Sequence, residues 1–155
     1  MKFKPNYIVI PLVVALVGLA GSLVTSMGMD WYDSLILPQS APQGWFIGMV
    51  WTVIFILTAI ASLLFWNKKT EQKKSKTLIT LLIANAVLNV LWSVLFFGLY
   101  LICWSVIEMI ALNLVNIAIV ALFWKRYRTS AILWLPYIIW VGFATYLAYS
   151  IYRLN

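Results

Sequence analysis

Five long apolar runs divide the chain: residues 7–25, 45–66, 78–99, 101–124 and 131–152. Each is long enough to cross a bilayer, because about 20 apolar residues in a helix span a hydrocarbon core of about 30 Å. None contains a lysine or arginine, and Arg153 lies just past the fifth. The pattern predicts an all-α membrane protein, a five-transmembrane-helix bundle forming a single domain over residues 1–155. The first run is long for a signal-peptide core, and no clear small-residue cleavage site precedes the acidic loop that follows, so it reads as a retained span.

The connections differ in character. Residues 26–44 contain Gly28, Asp30, Trp31, Tyr32, Asp33, Pro38 and Pro42, and 19 residues are too many for a turn. Long connections more often carry function than short ones do. Residues 67–77 hold five lysines, Gly98-Leu99-Tyr100 reads as a tight hairpin, and Lys125-Arg126-Tyr127-Arg128 joins the last two runs. Lys2, Lys4, Lys68, Lys69, Lys73, Lys74, Lys76, Lys125, Arg126 and Arg128 fall on one side of a five-span topology, and Arg153 alone on the other. Basic loops stay cytoplasmic, so the N-terminus is expected in the cytoplasm and the C-terminus outside, with the 26–44 loop facing outward.

Composition sharpens this reading. The chain is 65% hydrophobic and 10% charged, more apolar surface than a water-solvated domain of this size can bury. The net charge of +7 is confined to the connections. That placement suits orientation and contact with anionic membrane lipid, and no aromatic-interleaved basic stripe points to nucleic acid. A single cysteine, Cys103, excludes an intramolecular disulfide, and the absence of histidine removes the commonest metal ligand and general base. No metal site and no obligatory cofactor is expected. No paired carboxylate within a span, nucleophile with a base or glycine-rich phosphate loop is present, which argues against conventional hydrolase or transferase chemistry.

Polar groups inside the runs are the candidates for chemistry, since each is expensive in hydrocarbon. Asn85 and Asn89 lie one turn apart, with Ser93 a turn further and Trp92 beside them; they read as ligand contacts, as interhelical hydrogen bonds, or as both. Glu108 is the one carboxylate inside a run, four residues after Trp104. It reads as a functional acid or as a neutral, hydrogen-bonded structural one. Asn113 and Asn116 fall largely off that face and read as packing contacts. Pro136 interrupts the fifth run, where Tyr137, Trp140, Ala144 and Leu147 form one stripe, and Gly18, Ser22 and Gly142 would permit close helix approach. The nine tryptophans divide by position. Trp45, Trp66, Trp124 and Trp134 lie near run ends, where indoles anchor at the headgroups. Trp51, Trp92, Trp104 and Trp140 lie inside the runs, and Trp31 lies on the long loop. Interior indoles beside polar groups suggest the lining of a flat, mostly apolar ligand.

Taken in order, these residues resemble the TspO/MBR family of tryptophan-rich sensory proteins and translocator proteins over nearly the whole chain. The carrying residues are Trp31-Tyr32-x-Ser34-Leu35 with Pro38 and Pro42, then Trp45-x-x-Gly48-x-x-Trp51. Leu88-Asn89-x-x-Trp92-x-x-x-Phe96-Phe97-Gly98 follows, then Trp104 with Glu108, and last Pro136-Tyr137-x-x-Trp140-x-x-Phe143-Ala144-x-x-Leu147. The resemblance implies an integral multi-pass protein of the bacterial cell membrane, or of the mitochondrial outer membrane in a eukaryote. It implies a cavity open towards the first loop and often a homodimer. Implied ligands are porphyrins such as protoporphyrin IX, isoquinoline-type compounds and, in some members, a cholesterol-like sterol. Carried across residue by residue, the ligand-binding set is Tyr32, Trp51, Asn85, Asn89, Trp92, Trp104, Glu108, Trp140 and Ala144. Leu147, Tyr149 and Arg153 match a loose sterol-contact pattern. The chain departs from the family pattern at Pro38-Gln39-Ser40-Ala41-Pro42-Gln43, which lacks the loop tryptophan and paired prolines of many members. Met49 and Ala148 stand where many members have proline and asparagine.

Three functions are open at this level. The first is a receptor or sensor for tetrapyrroles. The second is an enzyme that degrades bound porphyrin in light, with Trp51 and Trp140 as the catalytic redox partners. The third is a porphyrin or lipid transporter, for which only Glu108 and the Pro136 interruption speak and no inverted repeat is visible.

Overall fold

The computed structural model describes residues 4–67, 76–125 and 127–155. Lys2, Lys68, Lys69, Lys73, Lys74 and Arg126, used above to orient the chain, lie outside the described residues. Six α-helices follow in order: α1 (Asn6–Met27), α2 (Met29–Asp33), α3 (Gly44–Asn67), α4 (Lys76–Ser93), α5 (Ile102–Trp124) and α6 (Arg128–Leu154). A π-helical turn, Val94–Gly98, extends α4. Among the described residues there is no strand. With α4 and its extension taken together, five helices are long and apolar enough to cross a membrane, as the hydrophobic runs predict.

The spans close into a ring. Helix α1 packs on α3 and α4, α4 on α5, α5 most extensively on α6, and α6 back on α3. Each span therefore has two neighbours and one face left to lipid. That explains the exposed leucines and isoleucines of every span, such as Leu16, Ile56, Ile83, Ile107 and Ile139. In lipid the hydrophobic effect no longer drives helix association, so close packing and interhelical hydrogen bonds hold the ring. Ser130 Oγ donates to the Ala61 carbonyl at 2.9 Å, fixing α6 to α3. Polar Arg128 and Ser130 lie within α6, which is why the helix starts earlier than its apolar run.

Two clusters fill the ring. One, around Ile54, Phe65, Leu112, Ile119, Phe123 and Trp134, joins α3, α5 and α6. The other, around Phe96, Phe97, Met109, Leu147 and Ile151, lies at the end where the long loop docks. Trp134 is 2% exposed and bonded inside the bundle, which corrects its reading as an interface anchor. It is close to a run end in sequence but faces inward. Trp45, Trp66 and Trp124 are 67%, 38% and 48% exposed, as anchors should be.

Two connections are more ordered than their sequences suggest. The long loop contains α2 and is tied down at its far side. The Asn155 side chain accepts the Ile36 N–H at 3.0 Å and donates to the Ile36 carbonyl at 3.1 Å. Gly28 admits the loop close to α4, since a Cβ there would collide with the Phe97 carbonyl oxygen. In the hairpin before α5, Tyr100 rather than Gly98 adopts the left-handed conformation, with φ 59°. That is uncommon for a side chain of this size, and the Tyr100 ring packs 4.5 Å from Trp31.

Candidate functional site

A cavity of about 690 Å³ lies between α1, α3, α4 and α6, beneath the long loop. Trp51 enters it from α3, Asn89 and Trp92 from α4, Trp140 and Ala144 from α6, and Tyr32 from α2. Helical periodicity explains the α6 contribution. Trp140, Ala144 and Leu147 recur at three- and four-residue steps on one face, and all three line the cavity. The aromatic lining is continuous. Trp51 stacks at 6.3 Å on Trp92, which stacks at 5.8 Å on Phe96. Trp31 meets Phe96 edge-on at 5.6 Å, and Tyr32 lies 5.7 Å from Phe97. The loop is thereby docked on the far end of the same aromatic wall.

Ser22, Thr25, Ser26, Thr52 and Ser93 add hydroxyl residues to the lining, and amide groups lie at depth. Asn89 Nδ2 donates to the Tyr137 hydroxyl at 2.7 Å, and Asn85 Nδ2 donates to Asn116 Oδ1 at 2.9 Å. Asn116 Oδ1 also accepts from Trp134 Nε1 at 2.8 Å. The α4 asparagines therefore bridge helices, and they line cavities as well: Asn89 contacts this one and Asn85 the smaller one described below. Asn116 is fully buried at the centre of the network, which corrects its reading as a packing contact. Among the described residues the buried indole N–H groups of Trp92 and Trp140 have no acceptor. At the loop, burial and secondarily the neighbouring Asp33 carboxylate hold the Tyr32 phenol above its usual pKa. Tyr32 therefore remains a hydrogen-bond donor at neutral pH.

Two members of the sequence-predicted set lie elsewhere. Trp104 is 61% exposed on the outer surface and lines neither this cavity nor the smaller one described below. The buried stripe of α5 runs through Ser105, Glu108, Met109, Leu112, Asn116, Ile119 and Phe123. Trp104 lies just beyond the edge of that stripe, so sharing a nominal face with Glu108 does not bring it inside. Glu108 is buried, and neither of its oxygens has a hydrogen-bond partner among the described residues. It lines neither cavity, and the expected hydroxyl or amide partner is not found among the described residues. The sterol-contact residues also divide. Leu147 is buried in the cavity wall, whereas Tyr149 and Arg153 lie on the exterior. Two residues along a helix turn about 200°, so Leu147 and Tyr149 cannot share a face.

Phe55, Phe96 and Phe97 line the cavity without belonging to the predicted set. Phe55 was legible as the residue one turn beyond Trp51, and its ring stacks on Trp51 at 5.6 Å. No three or more His, Cys, Asp or Glu side chains are grouped to hold a metal among the described residues. The arrangement is an aromatic slot with hydroxyl residues, deep amide groups and a docked loop, suited to enclosing a flat, mostly apolar molecule.

A family model described as the TspO/MBR family matches residues 9–153. The chain is 33% identical over 147 residues to the tryptophan-rich protein TspO of Archaeoglobus fulgidus, covering 93% of each chain. It is 30% identical over 125 residues to protein CrtK of Rhodobacter capsulatus, covering 81% of this chain and 78% of that one. With the translocator protein of Homo sapiens the identity is 26% over 129 residues, covering 83% and 76%. On the extent of these matches, the chain belongs to the TspO/MBR family.

Proposed function

We propose that this membrane protein binds a tetrapyrrole of the porphyrin class in the cavity beneath the long loop, as a receptor or sensor. The observation that carries the reading is the convergence of Trp51, Trp92 and Trp140, from three different helices, on one cavity of about 690 Å³. That volume lies within the range of about 300–1,000 Å³ usual for ligand sites. Indole faces stack on a flat macrocycle, and Asn89 and Tyr32 bring polar groups to the same lining. Relatives bear the names tryptophan-rich sensory protein and translocator protein, in keeping with a small-molecule ligand.

The test is titration of the purified protein with protoporphyrin IX, read by tryptophan fluorescence. Saturable quenching is expected. Replacing both Trp51 and Trp140 by Phe should weaken binding about tenfold, since an aromatic contact contributes about 0.5–1.5 kcal/mol beyond area burial. Unchanged affinity in that double variant would remove the cavity from consideration.

Light-driven oxidation of the bound porphyrin by dioxygen is a second reading, favoured by the Trp51–Trp92 stack at the cavity wall. Illumination of the complex under oxygen should then yield a new absorbing product faster than in a protein-free control. Equal rates would leave binding alone.

A further inference from the structure

A second cavity, of about 440 Å³, occupies the other half of the bundle. Its lining runs from Pro5, the N-cap of α1, to Val17, from Phe55 to Trp66 on α3 and from Leu82 to Asn89 on α4, with Trp134 and Tyr137 from α6. The first cavity uses the later part of α1, the start of α3 and the end of α4, and shares Val14, Phe55 and Asn89 with this one. The two therefore lie end to end along the bundle axis, with Phe55 and Asn89 between them. From Pro5 to Val17 the helix rises about 18 Å, close to the length of one leaflet's hydrocarbon, half of about 30 Å.

The α1 wall is branched and aliphatic, with Val9, Ile10, Val13, Val14 and Val17. At the deep end the polar side chains are turned to other helices: Asn85 and Trp134 to Asn116, and Asn89 to Tyr137. The opposite end differs. There Asn67 Oδ1 accepts from Asn6 Nδ2 at 3.0 Å and from the Lys4 ammonium at 3.3 Å, and Pro5, Asn6 and Trp66 line the rim. The slot is thus apolar along about one leaflet's depth and carries a cation and an amide at its headgroup end.

We propose that this second cavity holds the single acyl chain of an anionic amphiphile of the fatty-acid class, its carboxylate at Lys4 and Asn6. The volume is near the lower end for ligand sites, which suits one chain better than the two of a phospholipid. The cationic rim selects an anionic headgroup. The site is separate from the tetrapyrrole cavity and does not depend on its ligand.

The test uses 9,10-dibromostearate on the purified full chain, because bromine quenches indole emission on contact and Trp66 and Trp134 line this cavity. Saturable quenching is expected, and A86F, which fills the slot from α4, should abolish the saturable part while leaving non-saturable quenching of the exposed indoles. Lys4→Glu should weaken the acid about thirtyfold, the effect of a change of roughly two interfacial charges, and should leave the neutral methyl ester unaffected. Circular dichroism establishes whether A86F is folded; if it is not, the Lys4→Glu and ester comparisons decide alone. Saturable quenching that persists in folded A86F would overturn the proposal, as would an ester that binds as tightly as the acid. Equal affinity for a dibrominated phosphatidylglycerol would assign the slot to a two-chain lipid instead. Displacement of the stearate by protoporphyrin IX would show one shared cavity and overturn the separation.

Discussion

Asn116 illustrates how much a single side chain carries in this bundle. Its Oδ1 satisfies donors from both α4 and α6, and Asn116→Ala would leave the Asn85 amide and the Trp134 indole N–H buried without that acceptor. A buried donor left unsatisfied costs about 1–3 kcal/mol, and in membrane bundles the average interhelical bond contributes nearer 0.6 kcal/mol. Asn116→Ala is therefore expected to lower stability by about 2 kcal/mol, and Trp134→Phe, which removes one bond only, by less. Reversible denaturation in mixed micelles measures both, and equal losses would remove Asn116 from its central place. Tyr32 gives a pH-dependent counterpart. Its folded pKa is raised above 10.0 by burial and then by Asp33, so the folded phenol holds its proton more tightly than the unfolded one. Its contribution to loop docking is complete below the ordinary value and is lost as pH rises through the folded value. Trp31 emission should show a loss of docking above about pH 10 that is reduced in Tyr32→Phe.

At the scale of elements, the long loop is held at both ends. Gly28 lets it approach Phe97, and Asn155 pairs with both backbone groups of Ile36. Asn155→Ala should accelerate hydrogen exchange at the Ile36 amide, with no change at Asn89 in the middle of α4; unchanged exchange at Ile36 would show that this side-chain pairing does not protect the loop. The α5 helix supplies a control for the cavity assignment. Trp104→Ala removes a large indole from the lipid-facing side and is expected to leave porphyrin affinity unchanged, whereas Trp140→Ala should weaken it. Loss of binding in Trp104→Ala would return that residue to the site. These outcomes turn on which face each helix presents, and a boundary of a few tens of degrees separates Trp104 from Glu108.

On the scale of the whole molecule, an odd number of spans puts the two chain ends on opposite sides of the membrane. Lys4 and Asn6 meet Asn67 at one end of the bundle, and Asn155 meets the long loop at the other. The basic connections predict that the Lys4 end is cytoplasmic. A periplasm-dependent alkaline phosphatase fused after Asn155 should be active and one fused within residues 68–75 inactive; the reverse result would invert the topology. Stacked end to end, the two cavities divide the ring into an aromatic half under the loop and an aliphatic half towards the basic end. Porphyrin and fatty-acid titrations should therefore be independent in the parent protein.

The spans, their number and the aromatic character of the site were legible in the linear sequence. An apolar run of bilayer length has few alternatives to a helix, because every backbone group must find its partner within the membrane. The motif spacing likewise carried Trp51, Asn89, Trp92, Trp140 and Ala144 to one cavity, since a helix repeats its face every three to four residues. What sequence could not decide was the rotation of each helix about its own axis. That rotation is set by which neighbours close the ring, and it sent Trp104 to lipid and Trp134 to the core. It also made Asn116 the shared acceptor of two helices and split Leu147 from Tyr149. The same tertiary closure alone created the second cavity, because a space between α1, α3, α4 and α6 belongs to none of their sequences.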